Sequence, residues 1–185
     1  MANFDFEFKG LLKLEFSSPK DALHYNKTEN GYTYMGIYEK ANPNWYGWKI
    51  IKKELVKNDY DIQNASEALY QNDELTNLVK KIYKEAYWDK AKLDYVLDGR
   101  VARLIFLYGV NVGMSRAIKS AQKIVGVEPD GVVGRKTIEA LNDTLLLKFE
   151  PKYKQAQINY YNEIVKRNPA KEIFLKGWLN RVKNS

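Results

Sequence analysis

Apolar residues recur at helical spacing along most of the chain, and the first such pattern ends in a charged residue. Phe8, Leu11 and Leu12 share one helical face. Glu15 lies one turn further along that face, and Pro19 predicts the end of the helix. A glutamate that faces inward loses hydration, which favours its protonated form and suits it to proton donation. By periodicity alone, a structural glutamate with a hydrogen-bonding partner is the commoner interpretation.

The segment after this helix changes from polar to aromatic. Residues 17–30 are rich in polar and turn-forming residues, and residues 32–38, YTYMGIY, alternate and are rich in β-favouring side chains. This predicts that residues 32–38 form one strand of a small hairpin. Trp45 and Trp48 follow, and a helix is expected only from about residue 48. The two tryptophans either fill the core or form a platform for a sugar or a base.

Beyond residue 58 the apolar pattern is helical throughout, so we expect a mainly α protein with a small β element near its start. Asp73 and Ser115 are predicted to cap the beginnings of two helices, and a long helix is expected over residues 151–167. Asn111 is an amide set among apolar neighbours. If it is buried it needs a hydrogen-bonding partner, either from the backbone or from a substrate.

Composition narrows the possible chemistry. The 185 residues suffice for one buried core or for two fused lobes. The chain has no cysteine, which excludes a disulfide framework and a thiolate metal site, and its single histidine argues against a histidine-based zinc site or triad. Any catalytic chemistry is therefore expected to come from carboxylates.

Charge and local motifs leave the partner open. Thirty Lys and Arg against 23 Asp and Glu give a net charge of +7. This charge favours an anionic partner, such as a nucleic acid, a membrane surface or an anionic cell wall. Alternatively, it reflects a solvated basic surface with no particular partner. The sequence contains no phosphate-binding loop, nucleophile elbow or cluster of basic and aromatic residues typical of nucleic-acid binding.

The amino terminus lacks the features of an ordinary export signal. It carries acidic residues where a secretory signal is basic, and no run approaches the roughly 18 to 20 apolar residues that span a bilayer. We therefore expect neither a secretory signal nor a transmembrane segment.

Several short motifs follow one another in a characteristic order. They are residues 14–15 (LE), 31–37 (GYTYMGI), 43–48 (PNWYGW), 87–88 (YW), 110–113 (VNVG), 121–122 (AQ), 126–127 (GV), 130–134 (DGVVG) with Thr137, and 174–182 (FLKGWLNRV). In this order and spacing the chain resembles the N-acetylmuramidases of glycoside hydrolase family 108, which combine a lysozyme-like glycosidase region with a predicted peptidoglycan region. The resemblance covers nearly the whole chain.

The resemblance implies a mainly α, lysozyme-like fold of two lobes with a small β-hairpin near the N-terminus. It places the glycosidase region at residues 1–95 and a helical predicted peptidoglycan region at residues 96–185, packed as one continuous fold. It also makes Glu15 the general acid that protonates the glycosidic oxygen between N-acetylmuramic acid and N-acetylglucosamine. The expected partner is the glycan strand of bacterial peptidoglycan, with no cofactor, no metal and no nucleic acid.

The chain departs from the family pattern around its expected site. Residues 16–18 are Phe-Ser-Ser in place of Gly-Gly-Tyr, and the position of a family aspartate, near Thr28, is not acidic. The second catalytic group could be Glu29, Asp21, or a water held by Thr33 with His24 or Asn26. A second carboxylate roughly 6.5 to 9.5 Å from the acid implies inversion, and one at about 5 to 5.5 Å implies retention. The candidates for the cleft wall are His24, Asn26, Glu29, Thr33, Tyr34, Trp45 and Asn111.

Two alternatives and a cellular setting complete these expectations. The altered motif around Glu15 and the missing aspartate also fit a non-catalytic wall-binding or secretion-associated protein on the same fold, whereas nucleic-acid binding has only the basic charge in its favour. We expect synthesis in a bacterial cytoplasm and action on the wall after holin-type release or non-classical export, as for a phage or prophage endolysin.

Overall fold

A computed structural model describes residues 1–27 and 30–185, and the chain is mainly helical. The helices are α1 Phe4–Glu15, α2 Gly47–Lys57, α3 Ile62–Tyr70, α4 Asp73–Tyr83, α5 Gly99–Val112, α6 Met114–Val125, α7 Arg135–Asn142, α8 Leu146–Arg167 and α9 Glu172–Asn184. The strands β1 Leu23–Asn26, β2 Gly31–Tyr34 and β3 Ile37–Tyr38 form an antiparallel sheet in that order. The predicted mainly α, lysozyme-like fold with a small β element is confirmed.

The chain divides into two compact units. The N-terminal unit is Asp5–Lys84 and contains the sheet, and the C-terminal unit is Met1–Phe4 with Glu85–Ser185. The division into functional regions at residues 1–95 and 96–185 stays a prediction. None of the helices in the described part of the chain is long and apolar enough to cross a membrane.

The predicted strand over residues 32–38 is wrong, because the chain turns back within it. Met35 and Gly36 have φ angles of +45° and +81° and connect β2 to β3. Two-residue hairpin turns often need positive φ at both positions, and a methionine there gives no sequence signal for such a turn. The alternation of side chains therefore predicted one continuous strand.

Two of the predicted helix caps are also wrong. Asn72 precedes α4, and its side chain accepts a hydrogen bond from the backbone N–H of Leu75, so Asp73 is the first helical residue rather than the cap. Neighbouring Asn and Asp are equally good caps, so composition did not distinguish them. Ser115 lies inside α6, which begins at Met114 without a side-chain cap.

The long helix α8 begins five residues before the predicted start at Pro151. In the structure α8 begins at Leu146, and Phe149 in its first turn is completely buried. Burial of the Phe149 ring offsets the free-energy cost of the backbone hydrogen bond that is lost at Pro151 inside the helix.

In the N-terminal unit, buried side chains hold α1 and the loop after it. Phe8 and Leu11 are each 1% exposed, and Phe8 packs against Tyr83 with ring centroids 5.6 Å apart. The Ser66 hydroxyl on α3 donates to the carbonyl oxygen of Pro19 at 2.6 Å and accepts from the backbone N–H of Leu23 at 2.9 Å. This buried hydroxyl ties the loop after α1 and the start of β1 to α3.

In the C-terminal unit, Trp88 is completely buried and Tyr153 links two helices. The Trp88 ring packs edge to face on Phe106 at 5.5 Å, and its Nε1 donates to Asp94. The Tyr153 hydroxyl of α8 donates to the carbonyl oxygen of Ala117 in α6 at 3.0 Å, and burial raises the pKa of Tyr153. Both aromatic residues satisfy their polar atoms inside the core.

Glu150 gives the C-terminal unit an acid-sensitive ion pair. The Arg100 guanidinium donates to Glu150 at 2.9 Å and to the carbonyl oxygen of Ser185 at 2.7 Å, and the Lys154 ammonium lies 2.9 Å from the same carboxylate. The hydrogen bond from Arg100, followed by that from Lys154, lowers the pKa of Glu150 from 4.5 to about 2. The stabilisation is therefore complete above pH 4.5 and is lost as the pH falls towards about 2.

We expect Glu150→Gln to lower the free energy of unfolding near neutral pH by about 1 kcal/mol, because the charged hydrogen bonds are lost from a partly exposed site. Urea unfolding between pH 7 and pH 2 should show a shallower loss of stability in acid than the wild type. Glu163→Gln is the control, since Glu163 pairs with Arg167 at 3.5 Å on an exposed surface. Equal acid slopes for Glu150→Gln and the wild type would contradict this role.

Candidate functional site

An open cleft of about 710 Å³ lies in the N-terminal unit beside the carboxyl end of α1. Glu15, Asp21 and His24 line it together, and Lys13 and Lys20 add positive charge. The end of α1, the turn after it and β1 supply these side chains. The fold thus gathers two carboxylates and the single histidine in one cleft.

Glu15 is the last residue of α1 and is half-buried. Its Oε2 lies 3.7 Å from the position that a Cβ at Gly36 would occupy, so the carboxylate is next to the turn between β2 and β3. A side chain at Gly36 would overlap the Tyr83 hydroxyl, which donates to the carbonyl oxygen of Met35 at 2.8 Å. A glycine is therefore required beside the Glu15 carboxylate.

Asp21 is held as a carboxylate by the residues in which the chain departs from the family pattern. The hydroxyls of Ser18 and Ser17 each donate to Asp21 Oδ2 at 2.9 Å. These hydrogen bonds, led by the one from Ser18, lower the pKa of Asp21, which is exposed to solvent. Asp21 is consequently a fixed negative charge in the same cleft as Glu15.

His24 and Thr33 lie directly opposite each other in the pairing of β1 with β2. Directly opposed residues of an antiparallel pair are neighbours on one face of the sheet. His24 is exposed, Thr33 is half-buried, and Asn26 lies on the same face two residues after His24. This arrangement places an imidazole, a hydroxyl and an amide side by side, which is a suitable set for holding a water molecule.

Tyr34 lies in the core of the N-terminal unit and not among the residues that line the cleft. Its side chain is 0% exposed, and its hydroxyl donates to the carbonyl oxygen of Leu69 at 3.1 Å. Tyr34 pairs with buried Leu23 on the sheet face opposite to that of His24. Burial raises the pKa of Tyr34, so the hydroxyl remains a hydrogen-bond donor.

Tyr34→Phe tests this placement. We expect the variant to lose about 1 kcal/mol of unfolding free energy, because the buried carbonyl of Leu69 loses its donor, and to keep glycan cleavage within twofold of the wild type. Thermal unfolding and a cleavage assay on the same preparation measure both effects. A large loss of cleavage with unchanged stability would instead put the hydroxyl against the substrate.

Trp45 and Asn111, like Thr33 and Asn26, are not among the residues that line the cleft. Trp45 is half-buried and packs edge to face on Trp48 at 5.2 Å, and its Nε1 is buried without a hydrogen-bond partner among the described residues. Asn111 belongs to the C-terminal unit, where it donates to the carbonyl oxygen of Leu107 and accepts from Arg181 at 2.6 Å. Glu29 lies outside the described residues.

Some of the cleft lining had no sequence signal. Ile62 and Gln63, at the start of α3, lie on the cleft although they are far from Glu15 along the chain. The lysines Lys13 and Lys20 belong to a charge excess that is spread over the whole sequence. The Ser66 hydrogen bonds help to hold these segments together, because they connect α3 to the loop and to β1.

Comparison with known proteins finds two family models along the chain. Residues 24–113 match the family model for Glycosyl hydrolase 108, and residues 116–183 match the model for the Predicted Peptidoglycan domain. The resemblance to glycosyl hydrolase family 108 is confirmed. The glycosyl hydrolase 108 match begins at His24, within β1, and includes β2 and β3. It begins after Glu15, so the role of Glu15 does not follow from it. The two matches together support a glycosidase that acts on peptidoglycan.

A solved structure supports the same assignment of the fold. The chain is similar to the structure of Brucella abortus SagA, with 25% sequence identity and a TM-score of 0.68. The match covers 97% of this chain and 89% of the SagA chain. The comparison with curated proteins found no match.

Proposed function

We propose that this glycosyl hydrolase 108 protein cleaves the β-1,4 bond between N-acetylmuramic acid and N-acetylglucosamine in peptidoglycan, with Glu15 as general acid. The observation that carries the proposal is the position of Glu15 in an open cleft that also holds the carboxylate of Asp21. Cleavage of a glycosidic bond needs a proton for the leaving oxygen and a second group that supports the positively charged sugar or the attacking water. A pair of carboxyl groups in one cleft can supply both.

We assign the second role to Asp21. The Ser17 and Ser18 hydroxyls keep its pKa low, so it stays negatively charged while Glu15 gives its proton to the leaving oxygen. A fixed negative charge stabilises the oxocarbenium-like transition state. The resemblance implies Gly-Gly-Tyr at residues 16–18, where this chain has Phe-Ser-Ser. The two serines hold Asp21, so Asp21 can supply the second carboxylate in place of the expected aspartate near Thr28.

His24 with Thr33 is the alternative source of the second function. Their side chains are neighbours on one sheet face, and His24 lines the cleft, so the pair could orient a water molecule for attack on the sugar. Substitution of each residue distinguishes the two assignments. Under the Asp21 assignment, Asp21→Asn lowers the cleavage rate at least tenfold and His24→Asn less than threefold, and the reverse order would move the role to His24.

The net charge of the chain suits an anionic polymer. Lys13 and Lys20 balance Glu15 and Asp21 in the lining of the cleft, whereas the whole chain carries a net charge of +7. Peptidoglycan carries free carboxylates, so the net positive charge of the chain favours its association with this polymer. This effect adds to binding and does not itself cleave the bond.

The bond that is cleaved can be read from the new sugar ends. Purified protein is incubated with sacculi, the products are reduced with borohydride, and mass spectrometry identifies the reduced sugar. We expect reduced N-acetylmuramic acid. Reduced N-acetylglucosamine at the new ends would show cleavage of the other glycosidic bond and would overturn the proposed specificity.

The second candidate function is a non-catalytic wall-binding protein on the same fold. It is favoured by the sequence around the proposed site, because residues 16–18 depart from the motif expected after the acid and the place of the expected aspartate, near Thr28, is not acidic. Sacculi that bind the wild-type protein without the appearance of any new reducing ends would support this candidate and overturn the glycosidase.

A further inference from the structure

The C-terminal unit contains a second open cleft, of about 470 Å³, at the start of α6. Four cationic and two hydroxyl side chains line this basic cleft, and none of its lining residues is acidic. They are Lys90, Arg116, Lys119, Lys123, Ser115 and Ser120. The proposed glycosidase chemistry uses none of them.

Salt bridges within the described residues do not balance the four cations of the basic cleft. In residues 1–27 and 30–185, none of them forms a salt bridge, whereas Arg100 and Lys154 of the same unit both pair with Glu150. Asp130 interacts electrostatically with Lys119, but hydrogen bonds from Gln122 and from the backbone N–H of Val132 already engage its carboxylate. The lining of the cleft therefore carries an excess of positive charge.

Neighbouring side chains hold two of these cations in place. The Arg116 guanidinium lies 4.2 Å from the centroid of the Tyr160 ring, a favourable cation–π contact. The methylene stem of Lys119 lies against Gly131, in the turn between α6 and α7. Charges held this way lose less conformational freedom on binding a ligand, which favours an anion that reaches the cleft.

We propose that the basic cleft binds the carboxylate groups of the peptide stems of peptidoglycan. The protein then contacts the polymer that it cleaves at a second binding site. The choice of polymer rests on the proposed function. Three of the four cations lie within residues 116–183, which match the Predicted Peptidoglycan domain. The anionic groups of peptidoglycan are carboxylates, and lysine and arginine bind carboxylates through charge-assisted hydrogen bonds.

The functional consequence is retention on an insoluble substrate. A carboxylate-binding cleft outside the cleavage site raises the effective concentration of glycan at the cleavage site without contributing to the chemical step. Its loss should weaken binding to intact sacculi and leave cleavage of soluble glycan strands without peptide stems unchanged.

Binding to sacculi tests the proposal. The full chain carrying Glu15→Gln is used so that sacculi stay intact, and bound protein is measured by sedimentation. Lys90→Gln with Lys123→Gln should weaken binding about fivefold, because each exposed ion pair contributes modestly. The matched control, Lys166→Gln with Lys176→Gln, removes the same charge from exposed positions of α8 and α9 and should change binding less than twofold. Equal weakening of binding by both pairs of substitutions would show that only the net charge of the protein matters, and would overturn the proposed binding site.

Modified sacculi identify the anion. Amidation of the carboxyl groups should weaken binding and remove the difference between the two variant pairs. Removal of phosphate polymers with hydrofluoric acid should leave both unchanged. If the acid treatment removes the difference, phosphate is the ligand and the carboxylate assignment is overturned. Competition by duplex DNA at equal charge, with amidation having no effect, would also overturn it.

A second variant and a cleavage assay separate this proposal from the proposed function. Lys119→Glu reverses one charge in the cleft and should weaken binding more than Lys176→Glu, with both folded by circular dichroism. In the chain with Glu15 intact, Lys90→Gln with Lys123→Gln should cleave peptide-free glycan strands at the wild-type rate. If the wild-type protein cleaves no glycan, the proposed glycosidase activity is overturned. The comparison of binding between the two variant pairs still tests whether the basic cleft binds carboxylates.

Discussion

Glu15→Gln should reduce the release of reducing ends from peptidoglycan by about 10² to 10⁴. The amide keeps the size and hydrogen-bonding shape of the side chain but cannot give a proton to the leaving oxygen. Because Glu15 ends α1 beside the turn at Gly36, the substitution should leave the fold intact. The cleavage rate is measured on purified sacculi, together with the midpoint of thermal unfolding.

The matched control for this substitution is Glu74→Gln, the same chemical change at an exposed position of α4 in the same unit. It should retain the wild-type rate. Glu15→Asp keeps an acid but shortens its reach, so partial activity is expected because the carboxyl group is displaced from the leaving oxygen. Full activity of Glu15→Gln would contradict the proposed role of Glu15.

Gly36→Ala should lower the free energy of unfolding by about 2 to 4 kcal/mol. Gly36 has a φ angle of +81°, which disfavours any side chain, and the new Cβ would overlap the Tyr83 hydroxyl. Relief of that overlap breaks the buried hydrogen bond from Tyr83 to the carbonyl oxygen of Met35. The turn beside Glu15 would also move, so the cleavage rate should fall together with stability. Urea unfolding measures the change in stability.

Gly177→Ala is the control for this prediction. Gly177 lies inside α9, and a Cβ there would meet nothing within 4 Å. Alanine is a better helix former than glycine, so this variant should gain about 0.5 to 1 kcal/mol. If the two alanine variants had equal stability, the close approach of Tyr83 to Gly36 would not be the limiting contact.

The loop after α1 connects the departures from the family with the proposed mechanism. Ser17 and Ser18 lie where the sequence departs from the motif expected from the resemblance, and their hydroxyls both bond to Asp21. In the sequence alone these serines are only a departure from that expected motif. The structure gives them a physical role, because they hold a carboxylate in the cleft beside Glu15.

The sequence by itself determined the helical class, the end of α1 and the place of Glu15 at that end. These features depend on local rules: apolar side chains three and four residues apart mark a helical face, and proline stops a helix. The resemblance to the family also came from short local motifs. The catalytic role of Glu15 stays a prediction.

Only the tertiary structure decided what surrounds Glu15. It brought Asp21 and His24 to one cleft and directed Tyr34 into the core. It also placed the start of α3 on the cleft, and the Ser66 hydroxyl of α3 bonds to the loop after α1 and to β1. Local periodicity cannot predict these contacts, because they join residues far apart in the chain and depend on which hydrogen bonds remain available after packing.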